Sequence, residues 1–238
     1  MNVVGVDGCS SGWFAIQLLS EEEFDIGLYP NISAIWDRYR DASHILIDTP
    51  IGLREDELGR QCDRDARKKL GQPRGSSVFN APCRQAAYEL SYERASEINR
   101  KYTSKGLSKQ SFAIAPKIRE VDLFLSENVE AQSTVLEIHP ELCFYMLSGK
   151  PMVFSKKTSE GFKERIEVLR NIYSGTDEIV NQALSKFKGK DVAKDDILDA
   201  LVAALTAKLG CECGLRSIPL SPEIDSKGLP MRMMYFYH

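Results

Sequence analysis

Histidine, tryptophan and cysteine are scarce in this chain of 238 residues, at three, two and six. Six cysteines over that length are too few to staple a disulfide scaffold, so the core must be held by apolar burial and the thiols are expected to be reduced. The pair Cys211-x-Cys213 has no second pair to complete a zinc site. No uncharged apolar run reaches the roughly 18 residues of a membrane span. The opening MNVVGVDGCSSGW has no basic leader, and Asp7 interrupts it before an apolar targeting core is complete. No signal peptide is expected, and the expected compartment is the cytoplasm. Phosphate-binding P-loops and Gly-x-Ser-x-Gly nucleophile turns are also missing, as are internal repeats and low-complexity runs.

What the chain does have is a globular balance, 43% apolar and 27% charged. That fits a globular protein, for which the length allows one or two domains, and a single domain over residues 1–238 is expected. Net charge is −3, but it is unevenly spread: residues 60–119 carry 14 Lys/Arg against 5 Asp/Glu, a net of +9, and the remainder is net −12. A basic quarter of this kind is either a solvated helical surface or the electrostatic footprint of a polyanion.

The N-terminal part reads as strands. Residues 2–6, 13–19 and 24–29 are short apolar runs joined by tight polar links, as in an antiparallel meander. Asn31 or Ser33 can cap a helix to about residue 40, and 44–47 is a fourth strand, so a parallel crossover is expected. From 51 to about 132 the periodicity turns helical, with helices predicted at 55–70, 81–101 and 116–127. This is read as an all-helical insertion. Residues 134–138 return to strand character, and Pro140 suits the first turn of a helix ending before Gly149. Further helices are predicted at 161–173, 177–187 and 195–209, followed by an extended, proline-containing tail.

Five carboxylates stand where carboxylates are poor structural choices. Asp7 ends the first apolar strand, Asp48 ends the fourth, Glu137 lies within the fifth, and Asp196 and Asp199 belong to the apolar helix DDILDALVAAL. Buried carboxylates need a cation, a set of donors or a metal. Asp7 and Asp48 end strands expected to be parallel, where sites form in open α/β sheets, and Asp196 and Asp199 share a helix face at i, i+3. Taken singly, Asp7 is also a good turn residue, Asp48 can accept backbone hydrogen bonds, and Asp196 is a good first-turn residue. Together, hard oxygen donors of this kind suit Mg²⁺ or Mn²⁺, one ion or two.

His139, two residues beyond Glu137, is a candidate outer donor to such a ligand or a plain core histidine. On a helix through 55–70, Arg60, Arg64 and Arg67 would form a basic face opposite the stripe Leu58, Cys62, Ala66 and Leu70. With Arg84 they are candidate phosphate contacts, as are Lys156 and Lys157.

The motifs GVDGCSSGW, IDTPIGL, CDRDARKKLG, SVFNAPCR, EIHPEL, FSKKTSEGFKER, DDILDALVAA and GLPMRMMYF occur in this order over nearly the whole chain. In that set the chain resembles the domain-of-unknown-function family 429, whose members are predicted nucleases. The resemblance implies an α/β fold of the ribonuclease H-like type: a mixed five-stranded sheet flanked by helices, with the insertion at about 51–132 between strands four and five. It also implies that Asp7, Asp48, Glu137, Asp196 and Asp199 are catalytic acids, that Asp7, Asp48, Glu137 and Asp199 hold the metal, and that the partner is nucleic acid. Two other readings share the scaffold: a nucleotide-binding phosphotransfer enzyme of the actin-like or sugar-kinase type, and a non-catalytic nucleic-acid-binding module.

Overall fold

β1 (Val3–Cys9) grows from the first apolar run. Val3, Val4 and Val6 are fully buried, so both faces of the strand need apolar cover, which only a central position supplies. The computed structural model, which describes residues 2–20, 23–56 and 58–237, places it there. β2 (Gly12–Leu18) and β3 (Phe24–Tyr29) complete an antiparallel meander on one side. β4 (His44–Ile47) and β5 (Val135–Glu137) add in parallel on the other, giving the order β3-β2-β1-β4-β5. α1 (Ile32–Tyr39) carries the chain from β3 to β4, and the Asn31 side chain caps it by accepting from Ala34 N–H at 2.8 Å.

Between β4 and β5 lie α2 (Gln61–Leu70), α3 (Arg84–Ala87), α4 (Tyr92–Thr103) and α5 (Lys109–Glu127). After β5 come α6 (Pro140–Ser148), α7 (Ser159–Arg170), α8 (Thr176–Lys186) and α9 (Lys194–Cys213). The chain closes with β6 (Arg216–Ile224) and β7 (Pro230–Tyr235). One sheet face, with Val3, Ile16, Leu46 and Leu136, packs under α6 to α9. The other, with Val4, Val6, Ile45, Ile47 and Val135, packs on α1 and α5. A mixed five-stranded sheet with this order and helices on both faces is consistent with a ribonuclease H-like fold. No helix among the described residues is long and apolar enough to cross a membrane.

Gly5 sets the spacing of the α9 layer. A Cβ there would lie 2.1 Å from Ala200 O and 2.2 Å from Ala204 N, so only a glycine lets the alanine face of α9 rest directly on β1.

Several predicted boundaries are corrected. The helix expected at 55–70 begins only at Gln61, because Gly59 takes a left-handed backbone (φ 65°). Leu58 is therefore off the helix and 66% exposed. The segment 81–101 breaks into α3 and α4, the second started by Ser91, whose side chain accepts from Arg94 N–H. α5 starts at Lys109, well before Pro116, because Ser108 caps it through Ser111 N–H at 3.0 Å. The extended tail pairs with itself as an antiparallel hairpin, and its Met231 and Met233 pack with Cys62, Leu70 and Leu142.

Candidate metal centre

Strand parity decides which acids can meet. Successive residues of a strand point to opposite faces. On β1, Asp7 shares parity with Val3 and Gly5, so it faces α9. Val6 pairs with Ile47 in the parallel ladder, which brings the next residue of each strand, Asp7 and Asp48, side by side on that same face. α9 runs over β1 from its N-terminal end, so Asp196 and Asp199 come down above the carboxyl ends of β1 and β4. The helix N-terminus also adds a favourable dipole there.

The electrostatics record this convergence. Asp7 is 6% exposed, and its Oδ1 accepts from Gly8 N–H at 2.7 Å. Burial raises its pKa well above the usual carboxylate value, and Asp48 and Asp199 push it further, while Lys156 pulls it back. Asp48 is half-buried. Burial and then Asp199 push its carboxyl up to about 7, against the pull of Lys156. Asp199 is 1% exposed. Its Oδ2 accepts from Lys156 Nζ, and its Oδ1 is buried with no hydrogen-bond partner among the described residues.

Lys156 is the cation within this set. Burial disfavours its charge, but Asp199, Asp7 and Asp48 outweigh that and hold its pKa above the ordinary lysine range. One ammonium against three carboxylates leaves a net charge of −2 when all are ionised. A divalent cation would balance that charge, and the orphaned Oδ1 of Asp199 offers it a donor. The donor set is all hard oxygen, so these residues fit such an ion.

The flanking acids do other work. Asp195 pairs with Lys157 at 2.5 Å. Asp196 Oδ2 accepts from Ala193 N–H at 2.8 Å, so it caps α9 as well as flanking the cluster. Its pKa is raised by burial, against that hydrogen bond. Asp7, Asp48, Asp195 and Asp196 line a cleft of about 360 Å³, together with His139, Lys117, Lys156 and Lys157. His139 Nε2 lies 3.3 Å from Ser77 O, its Nδ1 has no partner among the described residues, and burial lowers its pKa.

Glu137 lines the same cleft but does not join the Asp7–Asp48–Asp199 set. In the β4–β5 ladder it pairs with Ile47, not Asp48, so it shares Ile47's parity and faces the other side of the sheet. There its Oε2 accepts from Ile51 N–H at 2.7 Å and from Arg60 Nη2. Burial pushes its pKa up to about 8, with Arg60 pulling the other way. Cys62, Asp63 and Glu137 are all buried, with ligand atoms within 4.8 Å of one another, a spacing that could hold a metal ion. The cation they hold here is the Arg60 guanidinium, which reaches Cys62 Sγ at 3.0 Å and Asp63 at 3.6 Å.

The exposed basic face expected at Arg60, Arg64 and Arg67 is thereby corrected at Arg60, whereas Arg64 is exposed and Arg67 half-buried. Arg60 precedes α2 and is 3% exposed. Arg64 donates to Leu58 O and Gly59 O, and Arg67 to Val78 O and Asn80. Arg84 is also withdrawn from substrate: it is 8% exposed and bound by Asp122, Asp225 and Glu55. Lys156 and Lys157 are not an open pair but the partners of Asp199 and Asp195.

Sequence reasoning missed two groups. Glu141, beside Asp48 electrostatically, is 6% exposed and paired with the fully buried Arg165. Arg165 in turn donates to Phe154 O at 3.1 Å, tying down the segment that carries Lys156. Lys117 stands 4.2 Å over the Trp13 ring and donates to Gly12 O; burial lowers its pKa. The signal for Glu141 was present in EIHPEL, as a second acid in a motif already singled out.

Residues 5–224 match the model of a family described as a protein of unknown function, DUF429, and the chain belongs to that family. No curated protein and no solved structure matches it.

Proposed function

We propose that this member of the DUF429 family is a divalent-metal-dependent hydrolase of phosphodiester bonds in nucleic acid. The observation that carries the reading is the mutual approach of Asp7, Asp48 and Asp199, the first two lining the cleft and the third buried beside them with a carboxylate oxygen left unpartnered among the described residues. A purely structural cluster of acids would be expected to satisfy that atom. Asp7, Asp48 and Asp199 would hold Mg²⁺ or Mn²⁺, with Asp196 at the edge of the set. The bound ion would supply Lewis acidity and an activated water for attack on phosphorus.

The chain's own groups have separable tasks. Asp7 and Asp48 must lose their protons before they can bind a cation, so their raised pKa values couple metal affinity to pH. Lys156, the partner of Asp199, stands in the same cleft and would neutralise a substrate phosphate there. Lys117 adds positive charge beside Gly8 in the same cleft, held in place by Gly12 O and the Trp13 ring.

The test is calorimetric titration with Mg²⁺ and Mn²⁺, followed by cleavage assays on single-stranded, duplex and branched DNA and on RNA. Wild-type protein is expected to bind metal and cleave at least one substrate. Asp7→Asn and Asp199→Asn should each abolish cleavage without loss of fold. Absence of metal binding, or full activity in Asp7→Asn, would overturn the assignment. ATP hydrolysis in place of strand cleavage would move it to phosphotransfer.

A further inference from the structure

A second cavity, of about 470 Å³, adjoins the acidic cleft, and Val78 and Phe79 line both. Its chemistry is the reverse of its neighbour's. Arg64, Arg67 and Lys105 line it, and no described carboxylate does. Arg64 is held through Nη1 by Gly59 O at 2.8 Å, and Arg67 through Nη2 by Val78 O at 2.7 Å and Asn80 Oδ1 at 2.9 Å. These acceptors are neutral. They orient the guanidinium groups without cancelling their charge, and among the described residues no ion pair involves Arg64, Arg67 or Lys105. Arg60, the fourth cation on this wall, is spent on Glu137 and Asp63. Oriented, uncompensated guanidinium groups around a recess match a phosphate group.

The two cavities are also in register. Ser108 and Ser111 at the start of α5 line the basic cavity, whereas Ile114 and Lys117 line the acidic cleft. Six residues of helix, from Ser111 to Lys117, span about 9 Å. That is two to three nucleotides of a stacked strand at about 3.4 Å each. Between them stands Phe79, 38% exposed, an apolar ring on which a base can stack. A recess of this volume admits a nucleotide and excludes a double helix.

We propose that the basic cavity binds a backbone phosphate of single-stranded nucleic acid, whose neighbouring nucleotides pass Phe79 to the acidic cleft. The direction of the strand rests on the hydrolase reading, but the binding does not. The test is therefore made in EDTA on the full chain. Fluorescence anisotropy follows labelled single-stranded DNA and RNA and a duplex of equal length across a salt series, with inorganic phosphate as competitor.

Single strands are expected to bind more tightly than duplex. The Arg64→Gln/Lys105→Gln double variant should bind more weakly, with the slope of log affinity against log salt reduced by roughly 0.7, for the one phosphate charge no longer neutralised. Phe79→Ala should weaken single-strand binding with the slope unchanged. Lys105 is exposed, so Lys105→Gln alone keeps the test intact if the double variant does not fold. No binding by wild type, an unchanged slope, equal binding of duplex, or binding of inorganic phosphate alone would each overturn the proposal. Failure of the metal centre would show instead as intact binding in EDTA with no cleavage of the bound strand once Mg²⁺ or Mn²⁺ is supplied in excess.

Discussion

Asp48 gives the most direct test of the acidic cluster, because it is expected to destabilise the metal-free protein in a pH-dependent way. Its pKa is about 7 in the fold, against an unperturbed 3.8. An acid whose pKa is higher folded than unfolded keeps its proton longer in the folded state. Unfolding then releases protons, and stability falls as pH rises from the unfolded pKa to the folded one. With those two values, the unfavourable contribution of Asp48 grows by about 2 to 3 kcal/mol between pH 5 and pH 8. Asp48→Asn removes the ionisation and keeps the shape. Denaturant unfolding in EDTA across that interval should show the variant gaining on wild type steadily as pH rises. The difference between the two curves cancels Glu137, which titrates alike in both proteins, and reads Asp48 together with the part of the Asp7 shift that Asp48 causes. Adding Mn²⁺ should restore wild-type stability most strongly at the high end, where the carboxylates are free to bind it, and restore much less in the variant. Parallel curves for the two proteins in EDTA, or a variant that loses ground as pH rises, would refute the reasoning.

Three further outcomes follow from the packing. Arg60→Met should cost about 3–5 kcal/mol in urea unfolding, because it strands the buried Glu137 and Asp63 without their cation; a change under ~0.5 kcal/mol would mean an exposed arginine after all. Gly5→Ala should cost about 1–3 kcal/mol or more, since its methyl meets the α9 backbone, and should also weaken metal binding by moving Asp199 off Asp7; unchanged metal affinity would separate the packing of α9 from the site. Lys156→Met should tighten Mn²⁺ binding by roughly tenfold, about 1.4 kcal/mol, because the ion no longer competes with an ammonium. Weaker binding measured by calorimetry would show that Lys156 assists the ion rather than opposing it.

Much of this molecule is dictated locally. The valine run of β1, the alternation of the meander, the Asn31 cap and the apolar face of α9 each follow from side-chain period and backbone hydrogen bonding within a few residues. Asp7 and Asp48 could be placed together from the sequence because both end strands in a parallel crossover, and Asp199 because nothing else justifies an acid in an alanine-rich helix. Glu137 had the same local appearance, and its neighbours along the chain do not set it apart. The register of β5 against β4 did, by pairing it with Ile47: with a period of two, one residue of register decides the face. The arginines show the same division. Their charge is written in the chain, but whether it is neutralised depends on partners far away in sequence, such as Glu137 for Arg60 and Asp225 for Arg84. Periodicity is a property of adjacent residues and survives in the sequence. Charge compensation is a property of distances in space, and only the folded chain sets those.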